Sequence, residues 1–219
     1  MVHTIDDLLD LRHTLSGSYL RAFPCPWEAL DGISRMILSL QKQLDEGYIE
    51  VSPQVYVHKT CVIAPSACLG APCIIGPRTE VRHCAFIRGS VLIGEDCVVG
   101  NSTEVKNAIL FDHVEVPHFN YVGDSILGYY AHLGAGAVTS NVKSDRTDVQ
   151  IRINDTKIDT KRHKFGAVLG DHAEVGCNSV LNPGTIVGRG SSIYPTSCVR
   201  GIVPSQSIYK ADGSVVKKN

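Results

Sequence analysis

Seven polar side chains sit where their types and spacing suit chemistry: Arg88, Lys106, His118, Asn120, Tyr121, Asn141 and Lys164. Arg88 and Lys106 are 18 residues apart. In a coil of that length they would share one corner on successive turns, about 5 Å apart. Two cations at that distance repel unless an anion lies between them, so the pair predicts a phosphate or carboxylate ligand. Surface cations held by acidic neighbours such as Glu104 are the simpler alternative, since long cationic stems often just cover apolar surface. His118 follows Pro117 in VPHFNYVGDS. An imidazole titrates near neutrality and suits general-base work.

A coil is required to position these groups, and the sequence supplies one. Reading every sixth residue from Val57 gives Val57, Ile63, Leu69, Ile75, Val81, Ile87, Ile93, Val99 and Val105, without a break. Val, Ile and Leu fill 58 of 219 positions. Composition alone would produce nine in a row with a probability of roughly 10⁻⁵. A second ladder runs Leu169, Val175, Leu181, Val187, Ile193, Val199. Glycine often follows the aliphatic, and four places on the residue is usually small: Cys61, Ala67, Cys73, Thr79, Ala85, Cys97, Thr103, then Ala173, Ser179, Thr185, Ser191, Ser197. This hexapeptide pattern predicts an all-β chain folded as a parallel β-helix, three hexads to a triangular coil. Between the ladders the step drops to five twice, from Val105 to Leu110 and from Val122 to Leu127, and the pattern stops after Leu133 until about Phe165.

The 23.7 kDa chain carries a net charge of −1 with 20% charged residues, which argues against nucleic acid as its main partner. No stretch has the length of uncharged apolar sequence that spans a bilayer, and MVHTIDDLLDLRHTL does not read as a signal peptide. The expectation is a cytoplasmic protein. Eight cysteines form no CxxC, and those in small-residue slots read as compact core filler. Residues 1–52 read as an N-terminal helical segment, with Thr4 as N-cap and a stripe of Ile33, Ile37, Leu40 and Leu44 from Trp27 to Leu44. That segment is expected to cap the open end of the coil or to dock on a neighbour. Residues 53–205 form the coil and 206–219 a tail. A loop excursion at 143–164 interrupts the coil, with seven Lys/Arg, four Asp and a hairpin turning near Asn154 and Asp155. It reads as a binding element or as a solvated lobe at a subunit contact.

The runs VGNSTEVKNAIL, VPHFNYVGDSILGYYAHLGAGAVTSN and KFGAVLGDHAEVGCNSVLNPGTIVG resemble the C-terminal acetyltransferase domain of bifunctional glucosamine-1-phosphate acetyltransferase/N-acetylglucosamine-1-phosphate uridylyltransferases. They resemble archaeal-type sugar-1-phosphate nucleotidylyltransferases still more closely. The resemblance covers about 57–204 and implies a left-handed β-helix, usually a homotrimer with sites between subunits. It implies acetyl transfer from acetyl-CoA to an amino sugar phosphate, glucosamine-1-phosphate first, with no metal required and a place in nucleotide-sugar metabolism. His118 would be the base, Arg88, Lys106 and Lys164 would hold the sugar phosphate, and Tyr121 and Asn141 would position the sugar. Ala135 and Cys177 would lie against CoA.

Three features depart from that pattern. His132 stands where an Asn contacts substrate, Pro195 lacks an N–H near CoA, and no nucleotidyltransferase domain precedes the coil, so this chain is not expected to make a nucleotide sugar. Two other readings stay open. One is a non-catalytic sugar-phosphate or partner-binding scaffold. The other is a carbonic-anhydrase-like zinc lyase using His83, His113 and His118.

Overall fold

The structure is a computed structural model that describes residues 4–153 and 156–218. About eight triangular coils stack as a left-handed parallel β-helix, each coil contributing one short strand to each of three faces. On the first face the inward column runs Val57, Ile75, Ile93, Leu110, Leu127, Leu169, Val187, Val203. The second runs Ile63, Val81, Val99, Val116, Leu133, Val175, Ile193 and the third Leu69, Ile87, Val105, Val122, Thr139, Leu181, Val199. These are the residues of the two sequence ladders, joined by Leu110, Val116, Val122, Leu127, Leu133 and Thr139 between them and by Val203 after them. Each fully buried aliphatic contributes about 1.5–3 kcal/mol.

The five-residue steps shorten two coils to 17 residues without breaking the columns, since Ile93 stacks on Leu110 and Leu110 on Leu127. The ladder also runs one strand past Leu133, because Thr139 takes the inward slot of the third face. Its hydroxyl accepts from the Gly123 N–H at 3.0 Å and lies 3.1 Å from Ser125 Oγ. A polar residue is tolerated there because those bonds satisfy it. The small residues fill the corners as expected, and Cys73 and Cys97 are fully buried. Burial pushes the Cys73 thiol up to about 12, which makes it inert filler. All eight cysteines are free.

The helical part of the N-terminal segment does not cap the coil end. It lies along the outside of the first face, where a helix at Ile33–Leu40 packs against the strands Val91–Ile93 and Glu104–Leu110. The outward residues of that face, Ile74, Leu92, Ile109, Ile126, Val168 and Ile186, are apolar, so an exposed face would leave a hydrophobic stripe in water. Thr4 caps the helix Ile5–Leu8, but that helix is a single turn. The chain from Trp27 to Leu44 passes through a 3₁₀ turn at Pro26–Gly32 before the α-helix and ends in another at Gln41–Gln43. The coil ends are closed by strands instead. Tyr48–Ser52, inside the segment read as helical, pairs antiparallel with Val55–His58, and Val215–Lys217 pairs antiparallel with Ser207–Tyr209.

The excursion leaves after the third-face strand Val138–Thr139 and returns at Ala167–Leu169. It forms the expected hairpin from Gln150–Ile153 and Thr156–Asp159, while the turn at Asn154 and Asp155 lies outside the described residues. Val149 and Ile151 are buried, and Arg162 donates in bidentate fashion to Asp31, tying the excursion to the N-terminal segment. No helix among the described residues is long and apolar enough to cross a membrane.

Candidate active site

The corner between the second and third faces stacks His83, Asn101, His118, Ala135, Cys177 and Pro195 on successive coils. Backbone bonds set the stack: Phe119 N–H to Asn101 O at 3.0 Å, Gly136 N–H to His118 O at 3.0 Å, Asn178 N–H to Ala135 O and Thr196 N–H to Cys177 O, each at 2.8 Å. Gly100 permits it, because a Cβ there would lie 1.4 Å from the Pro117 carbonyl oxygen. His118, Ala135 and Cys177 line one cleft of about 420 Å³, together with Arg82, Glu115 and His132. His118 and the two residues that the resemblance sets against CoA therefore share a groove.

His118 is exposed and held at both ends. Its backbone N–H donates to Asn120 Oδ1 at 3.0 Å, and its Nδ1 lies 3.2 Å from Asn101 Oδ1. With Nδ1 protonated toward that amide oxygen, Nε2 is left as the acceptor. Asn120 is buried and spends its amide on Gly134 O and Ala137 O, so it shapes the corner and does not face a ligand. The Ala135 N–H makes no hydrogen bond to another described residue and is available to an incoming oxyanion. His132 is engaged by Glu174 at 2.9 Å.

Arg88, Lys106, Tyr121 and Asn141 gather elsewhere, at the third face and its corner with the first. Arg88 and Lys106 do sit on successive coils, with the Arg88 N–H bonded to Val105 O at 2.8 Å. Each has its own carboxylate: Arg88 Nη1 donates to Glu104 Oε1 at 2.7 Å, and Lys106 Nζ lies 3.4 Å from Asp124 Oδ2. The expectation that an anion must separate two repelling cations is thus corrected, since protein carboxylates already offset both charges. Tyr121 is half-buried and folds over Gly123, where a Cβ would meet its hydroxyl at 2.5 Å. Burial raises its pKa. Lys164 is exposed and adjoins this corner through the Phe165 N–H, which donates to Asn141 O at 3.0 Å.

Sequence reasoning missed Asp124 as the centre of this corner. It is 5% exposed and accepts from Asn107 Nδ2 at 2.9 Å and Asn141 Nδ2 at 2.5 Å besides Lys106. It lies inside the VGDS run, but its three donors come from neighbouring coils and leave no local motif. It also missed Asn101, whose signal is that it stands 17 residues before His118, one short coil away.

Within one chain the His118 groove and the Lys106 corner lie at opposite ends of the third-face strand, so Arg88, Lys106 and His118 do not share one cleft within a single chain. Likewise His113 and His118 are at opposite ends of one second-face strand, about 16 Å apart. His113 stacks on Tyr130, and His83 contacts Ser66. The three histidines of the zinc reading do not meet in this chain. Among the described residues, Glu95, Asp96 and His113 come within metal-ligand reach of one another, and Arg78 already binds both carboxylates.

Stacked hexapeptide coils with a histidine-bearing corner groove define the class, a hexapeptide-repeat left-handed β-helix. The chain belongs to the family described as GMPPB C-terminal domain, whose sequence profile matches residues 72–181. It is 37% identical over 114 residues to the "Bifunctional protein GlmU" of Methanococcus vannielii, covering 52% of this chain and 27% of that protein. It is 30% identical over 105 residues to the "Bifunctional sugar-1-phosphate nucleotidylyltransferase/acetyltransferase" of Sulfurisphaera tokodaii, covering 48% and 26%. The chain thus spans about a quarter of the length of these curated relatives. Among solved structures, a mutant of AntD, an N-acyltransferase from Bacillus cereus in complex with dTDP and coenzyme A, aligns at TM-score 0.44 and 17% identity, covering 74% of this chain and 83% of that one.

Proposed function

We propose that this protein is an acetyl-CoA-dependent N-acetyltransferase acting on an amino sugar phosphate, with glucosamine-1-phosphate the first acceptor to test. The observation that carries the reading is the groove in which His118, Ala135 and Cys177 stack, with Asn101 holding the imidazole. The Sulfurisphaera tokodaii relative, named as a sugar-1-phosphate nucleotidylyltransferase/acetyltransferase, supports the same class of chemistry.

In this reading CoA lies along the groove past Ala135 and Cys177. His118 Nε2 removes a proton from the acceptor amine, and the nitrogen attacks the acetyl carbonyl. The Ala135 N–H stabilises the oxyanion of the tetrahedral intermediate. Its collapse breaks the C–S bond, and the CoA sulfur leaves with the proton from the imidazolium. The rigid coil supplies orientation, and no metal takes part.

Because Lys106 and His118 lie at different corners, the acceptor site is completed by a second copy, which brings its Arg88, Lys106, Tyr121, Asn141 and Lys164 to the groove. A homotrimer closes such contacts in a ring. Phe119, 61% exposed beside His118, and Phe86, 42% exposed on the third face, are apolar surface that a neighbour would cover. We place the activity in the cytoplasm, where acetyl-CoA and sugar phosphates meet.

A thiol-release assay of acetyl-CoA against a panel of amino sugar phosphates tests the reading. Saturable CoA release with N-acetylated product supports it. Acetyl-CoA binding with no turnover on any amino sugar phosphate overturns it in favour of a non-catalytic scaffold.

A further inference from the structure

A second cleft, of about 520 Å³, opens between the excursion and the last coils, at the corner of the third and first faces. Lys143 and Gln150 enter from the excursion, and Asn182 and Arg200 from the coils. Asn182 and Arg200 follow the inward residues Leu181 and Val199, so they occupy the slot that holds Arg88 and Lys106 farther up the same corner. Asn182 is three coils from Lys106 and Arg200 is four, about 14 and 19 Å at one strand spacing per coil. Within one chain the cleft therefore lies farther along that corner, three coils from Lys106 and one coil from Asn141, and across the third face from the histidine groove.

Two of its four polar side chains, Arg200 and Gln150, are uncommitted among the described residues. Arg200 is exposed and makes no ion pair with another described residue, unlike Arg88, Lys106 and Arg78. The Gln150 side chain has no hydrogen-bond partner among the described residues, and Asn182 spends Nδ2 on Val199 O at 2.9 Å, leaving Oδ1 to accept. Lys143 Nζ lies 3.3 Å from Asp145 and also donates to Thr147, which leaves one net positive charge from Arg200 at the mouth. Pro183 and Ile202 add an apolar wall. The volume falls in the range of small-molecule sites.

We propose that this cleft binds a nucleoside diphosphate, its phosphates on Arg200 and Lys143, its base edge on Gln150 and Asn182 and its base face on Pro183 and Ile202. A guanidinium offers the paired donors that a phosphate accepts, the Gln150 carboxamide can both donate to and accept from a base, and Asn182 Oδ1 can accept from one. The excursion builds half of the cleft: it makes the step from Leu127 to Leu169 42 residues long, where a regular coil has 18. Val149 seats the hairpin on Gly184, where a Cβ would meet Val149 Cγ1 at 2.7 Å.

Calorimetric titration of the full chain with UDP, GDP and inorganic pyrophosphate, with no acetyl-CoA present, tests this independently of the acetyl-transfer reading. One nucleoside diphosphate should saturate the protein at one site per chain and more tightly than pyrophosphate. Arg200→Ala should weaken it tenfold or more, the scale of a lost charge-assisted bond, and Gln150→Ala less. Both side chains are exposed, and an unchanged melting temperature would show that the fold survives. Absence of saturable binding at millimolar concentration, binding indifferent to Arg200→Ala, or pyrophosphate binding as tightly as the nucleotides would each overturn the proposal.

Discussion

The first face of the prism and the other two share an inward ladder but differ outside. On the first face the outward column is Ile74, Leu92, Ile109, Ile126, Val168 and Ile186, all fully buried under the N-terminal segment and the excursion. On the second it reads Glu80, Val98, Glu115, His132, Glu174 and Ser192, and on the third Phe86, Glu104, Tyr121, Val138, Val180 and Cys198. One face has thus been given over to internal packing. The bare faces and their corners are left for the proposed ligand sites, and both clefts and the Lys106 corner lie there.

Substitutions can break or sharpen that contrast. Ile109→Ala, on the covered side, should cost about 2–5 kcal/mol in chemical denaturation, because both cavity and transfer losses apply. A loss near zero would mean that the N-terminal segment is not packed there. Lys106→Met removes the cation beside the buried Asp124 carboxylate and should cost about 2 kcal/mol. Adding Asp124→Asn should restore stability while the acceptor KM stays raised; recovery of both would make Lys106 purely structural. Asn101→Ala, at the bare corner, should lower kcat about tenfold through a misoriented imidazole, with KM for acetyl-CoA unchanged. Val138→Ala, outward on the third face, should shift the stability of the isolated chain by at most about 0.5 kcal/mol.

The coil was legible because one aliphatic in six must point inward, and that demand leaves a period that survives two shortened steps. The small corner residues followed from the same geometry. The fate of the first fifty residues was also written in the sequence, in triplets such as Cys73–Ile75 and Val91–Ile93 whose middle residue is apolar as well. An apolar residue on the outward side of a strand needs a cover, and only that segment and the excursion are long enough to give one. Counting also separates the site: Lys106 to His118 is twelve residues, two hexads, which puts them at different corners, whereas Arg88 to Lys106 is a full coil. Asp124 was not legible, because its role depends on three donors brought together by the register of neighbouring coils and not by any local motif. Thr139 escaped for a similar reason, its polar character being acceptable only beside Gly123 and Ser125.

The decisive measurement is the rate of CoA release from acetyl-CoA and glucosamine-1-phosphate by the unaltered chain and by His118→Ala, each checked for an unchanged melting temperature. With the imidazole acting as base at the solvent-facing corner, the variant should turn over at least about 100-fold more slowly while still binding acetyl-CoA. Near-normal turnover by the folded variant would remove His118 from the chemistry and contradict the groove as the reacting centre.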